Sequence, residues 1–178
     1  MVMKATCILL AIISLSPLKL THDRTLLLLQ WLIKRDRIEY LNKKSNAAPF
    51  YDQSRLSHLT VLGDSGKTIP NKHMSDFVSH EEMEICKTVP PMLEQSDWGL
   101  KYSLLKVKFV TDKVLQRKKG GFTAFSFSEP IFLNKECTRV IIGESFFCGI
   151  ECGRDDLLLC KYKNGRWNLI ARAVVASD

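Results

Sequence analysis

The sequence predicts an α+β fold in which an antiparallel β-sheet of about five strands, ending in a C-terminal meander, carries N-terminal helices on one face. Three observations support this. Helical spacing of apolar residues occurs in the first half of the chain, β patterns fill the second half, and Asn164-Gly165 marks a tight turn. The 178 residues are enough to bury one core, so we expect a single domain over 21–178, helical or irregular over 21–97 and β-rich over 98–178.

Segment 1–20 has the features of a signal peptide or an N-terminal anchor. Lys4 precedes an apolar run over 5–15, which is shorter than the roughly 20 residues that span a bilayer. Ser16 could end a cleavage site, although Pro17 would be an unfavourable first mature residue. We therefore predict an exported protein, periplasmic or secreted, that meets a membrane only through this segment. An uncleaved anchor and a buried first helix are the alternatives.

Two helices are predicted in the first half. Leucines recur on one side of residues 22–44, which indicates an amphipathic helix. A second helix begins after Ser79, which can form a capping box with Glu82, and it stops before the prolines at 90–91.

The stretch VLGDSGKTIP over 61–70 resembles a phosphate-binding loop but lacks its geometry. A Walker A loop that ends in Gly66-Lys67-Thr68 needs its first glycine at position 61, which is Val61. Pro70 also opposes the helix that would have to follow. We predict a surface turn after a short strand, and no bound nucleotide.

Strands are predicted at 101–110, 122–128, 138–146, 156–163 and 166–175. The Asn164-Gly165 turn pairs Lys163 with Arg166, Tyr162 with Trp167, Cys160 with Leu169 and Leu158 with Ala171. This register gives one apolar face and one face that carries Lys161, Lys163, Arg166, Asn168 and Arg172. Trp98, Trp167 and Phe132 are predicted core residues, and Glu129 and Glu151 surface carboxylates.

Much of the net charge of +7 lies in residues 101–119. A candidate anion patch in this segment consists of Lys106, Lys108, Arg117, Lys118 and Lys119. The alternation of lysine with apolar residues is typical of a strand with one solvated face, and we favour that interpretation. Nucleic acid is therefore not the expected partner.

The C-terminal part carries a series of motifs. Ser128–Phe132 follow the pattern S-x-P-x-F, Val140–Ile142 belong to an apolar strand, Cys148–Gly153 follow C-G-x-x-C-G, and Lys161 through Trp167 form a strand with an N-G turn and a Trp. This series resembles the ending of a family of small, often exported bacterial proteins, from which no activity can be carried over. The likeness covers about the last 100 residues. Asn134 replaces the usual Asp, and Arg154-Asp155 follows the second C-G where the family has another Gly. The resemblance implies one sheet-rich domain.

The Cys148, Gly149, Cys152 and Gly153 segment is predicted to be a structural turn or a disulfide. Cys148 and Cys152 are too far apart to pair if the segment is extended, but they could pair if it folds back. A zinc site would also need Cys137 and Cys160, and C-x-x-C, the usual redox spacing, is absent. A nucleophilic cysteine would need His58, His73 or His80 to be brought close by folding.

These observations favour a non-enzymatic exported binding or interaction module, with another protein as the candidate partner. No catalytic, cofactor-binding or metal-binding residue is assigned, and no cofactor is expected. The first alternative is a cysteine-dependent or hydrolytic enzyme centred on Cys148 and Cys152. The second is anion or nucleic-acid binding through 101–119.

Overall fold

The computed structural model describes residues 17–45, 53–63, 67–88, 97–111, 113–114, 123–149 and 152–177. It confirms the α+β class with a mostly antiparallel sheet. The helical elements are α1 (Pro17–Arg35), α2 (Gln53–His58), a 3-10 helix (Met74–Phe77), α3 (His80–Thr88) and α4 (Trp98–Lys101). The strands are β1 (Tyr40–Asn42), β2 (Thr60–Leu62), β3 (Thr68–His73), β4 (Lys108–Val110), β5 (Ala124–Phe127), β6 (Ile131–Phe132), β7 (Arg139–Gly149), β8 (Cys152–Lys163) and β9 (Arg166–Ser177).

The sheet has nine strands within the described residues, so the expectation of about five was too low. Its order is β3-β2-β9-β8-β7-β5-β1-β4, with β6 paired to β7. It is also mixed, because β1 runs parallel to both β4 and β5, while the other pairs are antiparallel. The extra strands are two to six residues long, and such short segments give little alternation from which to predict them.

Helices cover both faces of the sheet, which corrects the prediction that they pack on one face. Leucines of α1 pack against alternate residues of β7 and β8, including Ile142 and Leu158. The neighbouring Ile141 and Leu157 point to the opposite face, where they meet α2, α3 and the 3-10 helix. The cause lies in the strands themselves, since β7 and β8 are apolar on both faces and each face must be buried.

Helix α1 begins and ends earlier than the predicted 22–44. It starts at Pro17, within the predicted 1–20 segment, and it ends at Arg35. The Ile38 N–H donates to the Ile33 carbonyl (2.9 Å) and Arg37 has a φ of 52°, which together form a Schellman-type end. Because the left-handed residue is Arg rather than Gly, the sequence lacked the usual stop signal. None of the described helices is long and apolar enough to cross a membrane.

The α3 start was predicted correctly. The Ser79 N–H donates to Glu82 Oε2 (2.9 Å), and the Glu82 N–H donates to Ser79 Oγ (3.2 Å). The predicted strand 101–110 was mostly wrong, because α4 occupies its start and only β4 is extended. In the 61–70 stretch, strand β3 and not a helix follows the turn, whose residues 64–66 lie outside the described part.

The β8–β9 hairpin has the predicted turn and the predicted pairing as far as Cys160 with Leu169. Asn164 and Gly165 both have positive φ, 53° and 77°. Beyond this point the register shifts, so that Ala171 pairs with Leu159 rather than Leu158. The bulge moves Ala171 into the core on the α2 and α3 face, and the turn alone could not specify it.

Candidate functional site

The polar side of the β8–β9 hairpin is the candidate site. Because side chains alternate along strands, the apolar side carries Tyr162 and Trp167, whose rings meet edge to face at 5.3 Å. The opposite side forms a groove of about 270 Å³. We call this the hairpin basic face, lined by Lys161, Lys163, Asn164, Arg166, Asn168 and Ile170.

The cations of the hairpin basic face are exposed and unbalanced. Lys161, Lys163 and Arg166 form no ion pair with any residue that the structure describes. Residues 157–177 include no acidic residue, so nothing in this part of β8 and β9 offsets the charge. Asn168 Nδ2 donates to the Arg166 carbonyl (3.2 Å), which holds the amide beside the cations. The arrangement can attract an anionic group and offer it hydrogen bonds.

A second concentration of charge lies on the α1 side of the sheet, where β7, β8 and β9 meet the end of α1. Glu144 and Asp156 are directly opposite each other on β7 and β8, and both side chains are 1% exposed. Like charges in that position repel, so cations must accompany them. We call this group the buried charge cluster, consisting of Arg35, Asp36, Glu144, Arg154, Asp156 and Arg172.

Arginines from three elements contact the carboxylates of the buried charge cluster. Arg35 Nη2 lies 3.1 Å from Glu144 Oε1, and Arg172 Nη2 lies 3.4 Å from Glu144 Oε2. Arg172 Nε also donates to Asp156 Oδ2 (2.9 Å), and Arg154 Nε donates to the same oxygen (3.0 Å). The cluster therefore ties the end of α1 to three strands, and its three arginines match its three carboxyl groups.

Burial raises the pKa of Glu144 to about 7, despite the opposing effect of Arg35; Asp36 contributes to the rise and Arg172 opposes it. A carboxyl group with such a pKa can exchange a proton near neutrality, as a general acid does. Asp156 Oδ1 and Arg35 Nη1 are buried and have no hydrogen-bond partner among the described residues. The sequence analysis missed this cluster, because nothing in the chain shows that residues 35, 144 and 172 meet.

The predicted anion patch is separate from the hairpin. Lys108 Nζ lies 2.8 Å from Glu39 Oε1, so that charge is already paired. Lys106 lines a different groove of about 240 Å³ together with Lys34. Strand β4 is at the end of the sheet order opposite to the β3–β2–β9 end. Arg117, Lys118 and Lys119 lie outside the described residues.

The cysteine–glycine segment lies at the β7–β8 connection. Gly149 is opposite Cys152 at the end of the ladder, with a register shift after Phe147. Gly153 pairs with Phe147.

The free thiols of the described residues, Cys86, Cys137 and Cys160, are buried. Burial raises the pKa of Cys86 to about 11 and that of Cys160 to about 12, which disfavours the reactive thiolate. Among the described residues, no three His, Cys, Asp or Glu side chains are grouped so that they could hold a metal ion.

Glu129 is buried, which corrects its prediction as a surface carboxylate. It is 8% exposed, and Lys101 Nζ lies 3.3 Å from its Oε1. Trp98 and Trp167 are core residues as predicted, and Phe132 packs against the same core. Glu151 lies outside the described residues.

No protein-family model matches this sequence, and neither the curated proteins nor the solved structures contain a match to it.

Proposed function

We propose that this protein is a non-enzymatic binding module that captures an acidic segment of another protein on the hairpin basic face. The proposal is carried by three exposed cations that line one groove, Lys161, Lys163 and Arg166. None of them has an ion-pair partner among the described residues. Polar groups of Asn164 and Asn168 line the same groove and can bond carboxylate oxygens.

The buried charge cluster supports a structural role better than a catalytic one. Its Glu144 and Asp156 carboxylates are almost wholly buried and already engaged by arginines, Glu144 by Arg35 and both by Arg172. The high pKa values of Cys86 and Cys160 also weigh against a cysteine-dependent enzyme built on those thiols. Both observations favour binding as the function.

Export is part of the same proposal. A disulfide between Cys148 and Cys152 would close the β7–β8 connection and would persist only in an oxidising compartment. Mass measurement of the mature protein with and without reductant tests this directly. We expect a mass loss at the N-terminus and two additional hydrogens upon reduction. A mature protein that keeps residues 1–20 and has free thiols at Cys148 and Cys152 would contradict the proposal of export.

The binding proposal is tested with a fluorescein-labelled decaglutamate peptide and fluorescence anisotropy. Replacing Lys161, Lys163 and Arg166 together by Gln should weaken binding by about tenfold or more. The matched control replaces Lys67, Lys72 and Lys135 by Gln, which removes the same charge from exposed positions outside the groove.

The salt dependence of peptide affinity distinguishes binding at the hairpin basic face from a general attraction by net charge. Parent protein and control should both lose affinity as ionic strength rises, because the cations are exposed and screened. The hairpin variant should show little salt dependence, since its contacts are gone. Equal weakening in the two triple variants would mean that net charge alone attracts the peptide, and the proposal would then be wrong.

A further inference from the structure

Among the strands that the structure describes, none pairs with the outer edge of β9 beside the hairpin basic face. Strand β9 runs over Arg166–Ser177, and β8 pairs along most of its length. On the other side, β2 pairs with it at one position, Val61 with Ala173. Within the described residues, no strand pairs with the outer edge of 166–170.

The direction of the backbone groups at this edge follows from one hydrogen bond. The Tyr162 N–H donates to the Thr138 carbonyl (2.7 Å), so the backbone groups of Tyr162 point to β7 and away from β9. Trp167, opposite Tyr162, is therefore in a non-hydrogen-bonded pair, and its N–H and C=O point outward. The same holds for Leu169, which is opposite Cys160.

The side chains along this edge are sorted by type. Arg166 and Asn168 belong to the hairpin basic face. Trp167 and Leu169 point to the apolar side, where Leu169 is 39% exposed. A strand added here would meet cations on one face and an uncovered leucine on the other.

From this geometry we infer that the partner binds as an added β-strand along residues 166–170, and that its sequence alternates acidic with apolar residues. This inference rests on the proposed function. In an antiparallel ladder, residues opposite Trp167 and Leu169 share their face and exchange N–H···O bonds with them. The apolar residues of the partner take those positions, and its carboxylates lie opposite Arg166 and Asn168, within reach of Lys161 and Lys163.

Peptide chemistry tests the inference. The probe is a labelled peptide of alternating Glu and Val, and two derivatives carry N-methyl groups either on every Val nitrogen or on every Glu nitrogen. Methylation at Val should remove the hydrogen bonds to β9 and weaken binding by about tenfold or more. Methylation at Glu should change affinity little, because those N–H groups point to solvent. Both derivatives keep the same charge.

A protein variant gives the complementary test. Leu169→Pro removes an N–H that points away from β8, so the hairpin keeps its ladder. Leu169→Ala is the control, because it shortens the side chain and retains the N–H. We expect the Pro variant to lose the alternating peptide and the Ala variant to keep most of its affinity. Urea midpoints close to that of the parent verify that both variants are folded.

The outcomes separate this inference from the proposed function. In one outcome, the Leu169→Pro variant binds as tightly as the parent protein and the Val-methylated peptide binds as tightly as the parent peptide, while the hairpin triple variant binds neither peptide. Strand addition is then wrong, but the hairpin basic face remains the binding site. If the hairpin triple variant binds decaglutamate and the alternating peptide normally, the proposed function fails, and strand addition fails with it.

Discussion

The two concentrations of charge differ in almost every physical respect. In the buried charge cluster, Glu144 and Asp156 are 1% exposed and each contacts at least two arginines. On the hairpin basic face, Lys161, Lys163 and Arg166 are exposed and form no ion pair within the described residues. Burial confines the first group to contacts within the fold, whereas the second group lies in solvent, where it can meet a partner.

The largest expected effect comes from breaking the buried charge cluster. Arg172→Met removes the cation shared by Glu144 and Asp156 and leaves both carboxylates poorly paired. We expect a loss of about 3 kcal/mol in the free energy of unfolding, measured by urea denaturation.

Arg166→Met is the matched control, because it removes an arginine from the same strand on the exposed side. It should change stability by less than about 0.5 kcal/mol. Equal losses in the two variants would show that burial does not distinguish the two regions.

The pH dependence of stability sharpens the comparison further. The folded-state pKa of Glu144 is raised from an ordinary value of 4.5 to about 7, so the folded protein binds more protons than the unfolded chain between those values. The contribution of Glu144 to stability therefore falls as pH rises through this window, by at most about 1.4 kcal/mol per pH unit.

Glu144→Gln should remove this contribution and flatten the decline in urea-derived stability between about pH 5 and 7. Glu136→Gln, an exposed control, should retain the decline of the parent. A Glu144→Gln profile that falls as steeply as that of the parent would argue against the raised pKa.

The smallest effect concerns the turn that presents the hairpin basic face. Gly165 has a φ of 77° and no atom within 4 Å of an added Cβ, so Gly165→Ala costs backbone strain alone. We expect a loss of about 1 kcal/mol in urea denaturation. Gly63→Ala is the control, because its added Cβ makes an ordinary contact at 3.5 Å and should cost less. An equal cost at both positions would mean that the positive φ is not what selects glycine at 165.

Local chemistry made several features predictable. The Asn164-Gly165 turn selects its conformation by its own φ preferences, and Ser79 and Glu82 are close enough in sequence to cap α3 by themselves. The basic side of the hairpin followed from the turn and the alternation as far as Asn168, although its importance was not recognised. Arg172 was predicted on that side, but it lies on the α1 side with Glu144 and Asp156. The absence of acidic residues from 157–177 was the available signal.

The sequence by itself determined the elements whose residues interact within a few positions: the α3 cap, the final turn and the alternation that follows it. Tertiary structure alone decided the helix layers on both faces, the shift that moves Ala171, and the meeting of Arg35, Glu144 and Arg172. Those features depend on contacts between residues far apart in the chain. Their energies arise only after the chain has collapsed, so no local pattern records them.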